Sequence, residues 1–413
     1  MTLESDSPET VANISLKPAT SKGSKRVLQL DTLRGVAILL VLGHHYDTII
    51  KPDVSGYCAP LAHFFVMAGW TGVDLFFVLS GYLIGGLLFR EIKRSGELHA
   101  GRFIVRRGFK IWPLYYLYLA YCIFYPVVHS HTRLSVMIRQ TLPNLLHIQN
   151  YVYMKHEHTW SLSVEEHFYL MLPLLLFYLV KSKRLNLIPY ISAFLVCCCT
   201  ALRALALHNH TFTSADDLAW QWHIFTPTHL RIDGLFFGVM LAYFYHLKPE
   251  VFRKLSDSAS TRWIATLAGL VLISPSIFIL RTDPDKMFWM IVPGFAMIYI
   301  GYGAILLSAI YNRKPDGSPG LLFASLPSRA LAYIGFYSYA IYLWHIDLAR
   351  DRVLHWVYTG KFNRFDPGTR WLLAFISFCI VATVVGIVMN RIVEAPVLAF
   401  RDKFFPEKLA VKG

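Results

Sequence analysis

Charge is scarce in this chain. Only 16% of its 413 residues are Asp, Glu, Lys or Arg and 55% are hydrophobic, whereas a soluble domain carries roughly a quarter charged residues. That balance excludes an ordinary water-soluble globular protein. Acidic residues are the scarcer sign, 26 against 40 basic, and the net charge is +14. The excess does not point to nucleic acid, because the Lys and Arg lie in short loops between apolar runs. This is the pattern that the positive-inside bias and anionic lipid produce. Cysteine is sparse: Cys58, Cys122 and Cys379 are scattered, and Cys197, Cys198 and Cys199 are consecutive. Adjacent side chains on a helix point in different directions, so these thiols read as small apolar filler and no metal site is expected. No cleaved signal peptide is expected, since residues 1–26 are polar, contain Glu4, Asp6 and Glu9 and have no apolar core. Absent too are a nucleophile elbow, a Walker loop and any metal-ligand spacing.

What the chain has is long apolar runs. Spans are expected at 33–50, 61–89, 109–128, 164–180, 187–207, 230–247, 263–280, 287–311, 330–348 and 371–393, which makes an all-α polytopic membrane protein of about ten transmembrane helices. Residues 1–28 read as a disordered cytoplasmic tail, 29–400 as the membrane domain and 401–413 as a short cytoplasmic tail. Alternate loops are basic, so both termini are placed in the cytoplasm. The loop at 350–370 is basic yet falls outside in this arrangement.

The organising stretch is residues 33–46, LRGVAILLVLGHHY. On one helix Arg34 and His45 stand about 16 Å apart along the axis, half a bilayer core. Ionisable groups inside an apolar span cost roughly 2.5 to 3.5 kcal/mol each on insertion scales and mark functional sites by default. The bland alternative is an arginine that snorkels to the headgroups and a satisfied interfacial histidine.

The topology sorts the other polar residues into two layers. Arg34 joins Arg106, Arg107, Lys110 and Glu394 toward the cytoplasm, a basic layer suited to phosphate, since Arg offers a fork and Lys a point charge. His44, His45, Asp47, Trp160, Ser161, Glu165, Glu166, Arg231, Asp233 and His345 fall in an outer layer suited to proton transfer. A histidine can take a proton from an attacking hydroxyl at neutral pH while a carboxylate orients it. Glu165 is the candidate partner of His45; Glu166 could replace it, because helix phase alone decides which faces the bundle. Either carboxylate could instead be a structural partner of Arg231. Asp74 is an intramembrane acid, equally a supporting-site candidate or a bundle hydrogen-bonding group. Gly81 and Gly85 have small-xxx-small spacing, which reads as close helix packing.

Seven segments, taken in order, carry a family resemblance: LDTLRGVAILLVLGHHY, GVDLFFVLSGYLI, RRGFKIWPLYY, HTWSLSVEEHFYL, LRIDGLFFG, IGFYSYAIYLWH and IVEAP. From about residue 30 to 400 the chain resembles the acyltransferase type 3 family of integral-membrane O-acyltransferases. The resemblance implies transfer of an acyl group, most often acetyl, from cytoplasmic acyl-coenzyme A to a hydroxyl, usually on a cell-surface or secreted glycan, in a bacterial inner membrane. It implies no permanently bound cofactor and no metal. Arg34 and His45 match the family's essential first-helix pair, Arg107 and Lys110 its paired-arginine motif, and Glu165 the acid of its WSL motif. Lys110 stands where arginine is commoner, and Glu394 matches the closing motif without a catalytic role. The chain ends soon after its last span, so the hydrolase-like domain fused to some relatives is not expected, and a separate extracytoplasmic acyl-transfer protein is a conceivable partner. Transfer to a small molecule such as a macrolide, or to a lipid, is the narrower rival. A proton-coupled transporter is the rival of another class.

Overall fold

The computed structural model describes residues 27–47, 57–152, 156–209, 221–275, 288–314, 316–358 and 365–405. Helices account for nearly all of them, and among the described residues no strand is longer than an isolated bridge between Arg313 and Pro319. Most of the tails expected at 1–28 and 401–413, and the central parts of the loops at 48–56 and 210–220, lie outside the described residues.

The first helix, α1, runs Leu28–Asp47. After it come α2 (Ala59–Ala68) and α3 (Gly72–Ser95), joined by one tight turn into a near-continuous rod, then α4 (Ala100–His129) and the shorter α5 (Leu134–Leu145). The middle of the chain forms α6 (Trp160–Lys181), α7 (Ile188–Asn209), α8 (Asp233–Leu247), α9 (Ala259–Ile273) and α10 (Phe295–Tyr311). It closes with α11 (Leu326–Phe336), α12 (Ser338–Trp344), α13 (Asp351–Tyr358), α14 (Pro367–Met389) and α15 (Ala395–Phe404). Six helical stretches among the described residues are long and apolar enough to cross a membrane: Ala59–Ser95, Ala100–His129, Glu157–Lys181, Leu185–Asn209, Met290–Tyr311 and Pro367–Phe404. Outward-facing apolar side chains such as Phe194, Leu174, Val271 and Ile380 clothe a surface that lipid, not water, would stabilise. The chain is an integral membrane protein.

Several expected spans differ in form. The span at 330–348 is two helices broken at Tyr337, followed by a wide turn at His345–Arg350 with π-type hydrogen bonding. A similar turn at Asn390–Glu394 follows α14, and α15 continues as helix where a tail from residue 401 was expected. Such bulges are frequent at functional sites, and these two carry His345 and Glu394. The span at 230–247 begins with one separate turn, Thr228–Arg231.

Glycines set the closest helix contacts. A Cβ on Gly81 would lie 1.9 Å from the Leu235 carbonyl oxygen, and one on Gly238 2.4 Å from that of Val78, so α3 and α8 touch backbone to backbone. The small-residue spacing at Gly81 and Gly85 therefore serves packing, as in membrane bundles generally. Gly81→Ala should lower unfolding stability by ~1–3 kcal/mol through overpacking. Gly101→Ala, with nothing within 4 Å of its Cβ, should be neutral or gain up to ~1 kcal/mol in helix propensity. Thermal unfolding in detergent separates the two outcomes.

Candidate active site

A cavity of about 130 Å³ opens between α1, α3, α4, α6 and α12. Arg34, Arg107, Lys110, Glu165 and Glu166 line it, together with Ser80, Ser161 and Tyr342. The three cations expected to form one layer are thus brought together, but the layer is not basic overall. Lys110 forms an ion pair with Glu394, whose carboxylate is buried, and Arg34 sits 3.4 Å from Asp31. Arg107 packs over the Tyr169 ring at 4.1 Å and donates to its hydroxyl at 2.5 Å. That hydroxyl in turn donates to Glu165 Oε2 at 2.5 Å and contacts Ser80 Oγ at 2.8 Å. Trp112 Nε1 donates to Glu166 Oε2 at 3.2 Å.

This placement corrects the expected pairing of His45 with Glu165. Glu165 belongs to the Arg107 layer, and so does Glu166. The reason lies before α6. Its approach is buried at His156, His158 and Thr159, and it is fixed by hydrogen bonds from Gln149 to the Thr159 carbonyl (3.0 Å) and from Asn144 to the Thr159 hydroxyl (2.9 Å). The helix therefore starts inside the bundle, and a depth counted from a surface start places its carboxylates too far out.

The partner of His45 is His345, with His45 Nδ1 and His345 Nε2 3.0 Å apart. His345 Nδ1 lies 2.6 Å from the Tyr342 carbonyl oxygen. A carbonyl only accepts, so Nδ1 of His345 carries the hydrogen and its Nε2 the lone pair. His45 must then donate through Nδ1, which leaves the lone pair of the neutral ring on Nε2. A backbone carbonyl thus fixes the tautomer of two successive imidazoles and presents His45 Nε2 as a base. The His158 ring completes the group, its centroid 5.3 Å from that of His345 and 6.5 Å from that of His45.

Tyr342 joins the two layers. Its hydroxyl donates to the His158 carbonyl at 2.5 Å and so accepts from Ser161 Oγ at 2.6 Å. Ser161 and Tyr342 are cavity wall on one side, and the Tyr342 ring packs on the rings of His158 and His345 on the other. His45 itself is not part of the cavity lining. Arg107 Nε and Glu166 Oε1 are buried without a hydrogen-bond partner among the described residues. Both belong to cavity-lining side chains, and buried orphans of this kind call for a ligand or water.

Asp74, Arg231, Asp233 and Trp160 lie outside the cavity lining, in buried ion pairs and ring contacts. Asp74 pairs with Arg231 at 2.7 Å, both side chains almost fully buried, and the guanidinium lies 3.9 Å from the Phe295 ring centroid with Trp160 on another side. Asp233 pairs at 2.8 Å with Arg203, accepts from Tyr299 at 3.1 Å and accepts the Gly234 amide. Arg203, Tyr169, His158 and Tyr342 were not singled out from the sequence. Arg203 was findable as an arginine within an apolar run, and Tyr169 as the i+4 neighbour of Glu165.

The fold and site define a helical membrane protein with a charged cavity that backs onto a histidine group. A family model described as an acyltransferase domain matches residues 27–391, and the chain belongs to that family, acyltransferase 3. The chain is 26% identical over 337 residues to an O-acetyltransferase OatA of Staphylococcus aureus strain NCTC 8325, covering 77% of this chain and 50% of that protein. Over 358 residues it is 26% identical to a peptidoglycan O-acetyltransferase OatA of Listeria monocytogenes, covering 81% and 51%. The chain spans about half the length of these curated relatives. No solved structure gives a significant match.

Proposed function

We propose that the protein is a membrane O-acyltransferase that moves an acyl group, acetyl foremost, from acyl-coenzyme A to a hydroxyl of a cell-envelope glycan. The observation that carries the reading is the one cavity that gathers Arg34, Arg107 and Lys110 and ends at Ser161 and Tyr342, where the Tyr342 ring packs on His158 and His345, the latter in contact with His45. The donor enters from the cytoplasmic side. Its phosphates meet Arg34, the most exposed of the lining cations, and the orphaned Arg107 Nε, while its thioester reaches toward Tyr342. His45 Nε2 takes the proton of the acceptor hydroxyl as that oxygen attacks the thioester carbonyl. The C–S bond breaks, and the leaving thiolate takes the proton from the imidazolium. His345 holds the ring of His45 in the productive tautomer. An acylated intermediate on the enzyme is an alternative route through the same cavity.

A glycan acceptor is supported by the names of the relatives, one of which acts on peptidoglycan. Delivery to a separate extracytoplasmic acyl-transfer protein, or to a lipid or small molecule, uses the same chemistry. Arg34→Ala should weaken acetyl-coenzyme A binding ~10- to 100-fold, the value of one charge-assisted phosphate contact. Titration of the protein in lipid nanodiscs reads this directly. Unaltered affinity in that variant would remove the phosphate contact from the account.

A further inference from the structure

A second polar cluster lies beyond the histidine group. Cys122 of α4, His156 of the segment before α6 and Asp347 of the π turn each direct one ligand-type atom to a common point, with all three atoms within 4.8 Å of one another. Cys122 Sγ and Asp347 Oδ1 are each 3.8 Å from His156 Nδ1. The Tyr118 hydroxyl is 3.2 Å from the same nitrogen and donates to Asp347 Oδ2 at 2.7 Å. Three electron-rich partners therefore meet one imidazole nitrogen, which can carry at most one hydrogen. What points to a cation is the convergence of a thiol, an imidazole and a carboxylate on one point, three donors that a single metal ion accepts together.

We propose that Cys122, His156 and Asp347 bind a divalent cation of the zinc class, with the Tyr118 hydroxyl or a water at the fourth position. Thiolate, imidazole and carboxylate are the donor set that zinc accepts, and three protein ligands with an open fourth place is a common zinc arrangement. In a tetrahedral zinc site with bonds of about 2.0 to 2.3 Å, ligand atoms stand roughly 3.3 to 3.6 Å apart. The spacings here are wider, 3.8 Å to His156 Nδ1 and within 4.8 Å overall, so closing on a metal requires side-chain rotation. The sequence concealed the cluster because its members come from distant parts of the chain, Cys122 and His156 alone being 34 residues apart.

The consequence is positional. Asp347 and His345 share one π turn, and His156 and His158 share one buried segment. The Tyr118 ring also lies 5.8 Å from that of His158. A cation here ties α4 to both segments that supply imidazoles around His45, so its work is to hold those backbones rather than to meet substrate.

The test is metal analysis of the full chain purified in lipid without added chelator, followed by exchange with Co(II). One zinc per chain is expected in the wild type, with loss of it in Cys122→Ser and Asp347→Asn. The cobalt form should show a thiolate-to-metal charge-transfer band. That band should persist when Cys58, Cys197, Cys198, Cys199 and Cys379 are all replaced by serine, which keeps the test valid if Cys122→Ser fails to fold. Wild-type protein that takes up neither zinc nor cobalt, or cobalt binding whose thiolate band vanishes in the five-serine background, would overturn the site. Neither result bears on the acyl-transfer reading, which rests on the cavity.

Discussion

Alanine at His45 is expected to reduce acyl transfer by ~10²–10⁴-fold, the range a positioned general base contributes, while leaving acetyl-coenzyme A affinity unchanged. The separation of effects follows from the structure: His45 stands outside the lining that would hold the donor, and its Nε2 is the atom left with a lone pair once the Tyr342 carbonyl has set the two rings. His345→Ala should lower kcat by less, because it removes the orientation and not the base. Steady-state transfer to a soluble oligosaccharide acceptor, with donor binding measured in parallel, checks both. Wild-type turnover in His45→Ala would end the base assignment.

Arg231→Ala is expected to be among the most destabilising single changes, by ~3–5 kcal/mol, since it strands the buried Asp74 carboxylate without its charge partner. Both side chains of the pair are nearly completely buried, and the guanidinium is enclosed by Phe295, Phe225 and Trp160. The double variant Arg231→Met with Asp74→Asn should recover most of the loss, because replacing both partners leaves no isolated charge. Unfolding in detergent, followed by tryptophan fluorescence, reads the difference. A single variant as stable as the wild type would mean that Asp74 finds another partner, and would reopen its place among the functional candidates.

How far the sequence reached depended on what each signal measures. Apolar run length locates helices well, and the runs around 61–89, 109–128 and 371–393 correspond to long helices. It does not see breaks made by hydrogen-bond geometry, so the turns at Tyr337, His345–Arg350 and Asn390–Glu394 were read as continuous span. The grouping of Arg34, Arg107 and Lys110 was legible because loop charge fixes which helix ends share a side. Glu394 was placed in that layer too, but its pairing with Lys110 was not foreseen, nor was the link from Arg107 through Tyr169 to Glu165, since a carboxylate's depth depends on where its helix starts. That start is set for α6 by Gln149 and Asn144, side chains with no periodic signature. The partner of His45 was sought among carboxylates and proved to be a second histidine, 300 residues away in the chain. No spacing rule links those two positions; only the packing of α1 against α12 and α14 does.

The central claim is that the cavity receives an acyl-coenzyme A donor and delivers its acyl group toward the histidine group. The most direct measurement is equilibrium binding of acetyl-coenzyme A to the wild-type protein in nanodiscs, with release of free coenzyme A followed in the same sample. The account predicts saturable binding that Arg34→Ala weakens, and slow release of coenzyme A that His45→Ala abolishes without loss of binding. Absence of binding by the wild type, with acetyl-coenzyme A and with a longer acyl donor alike, would contradict it.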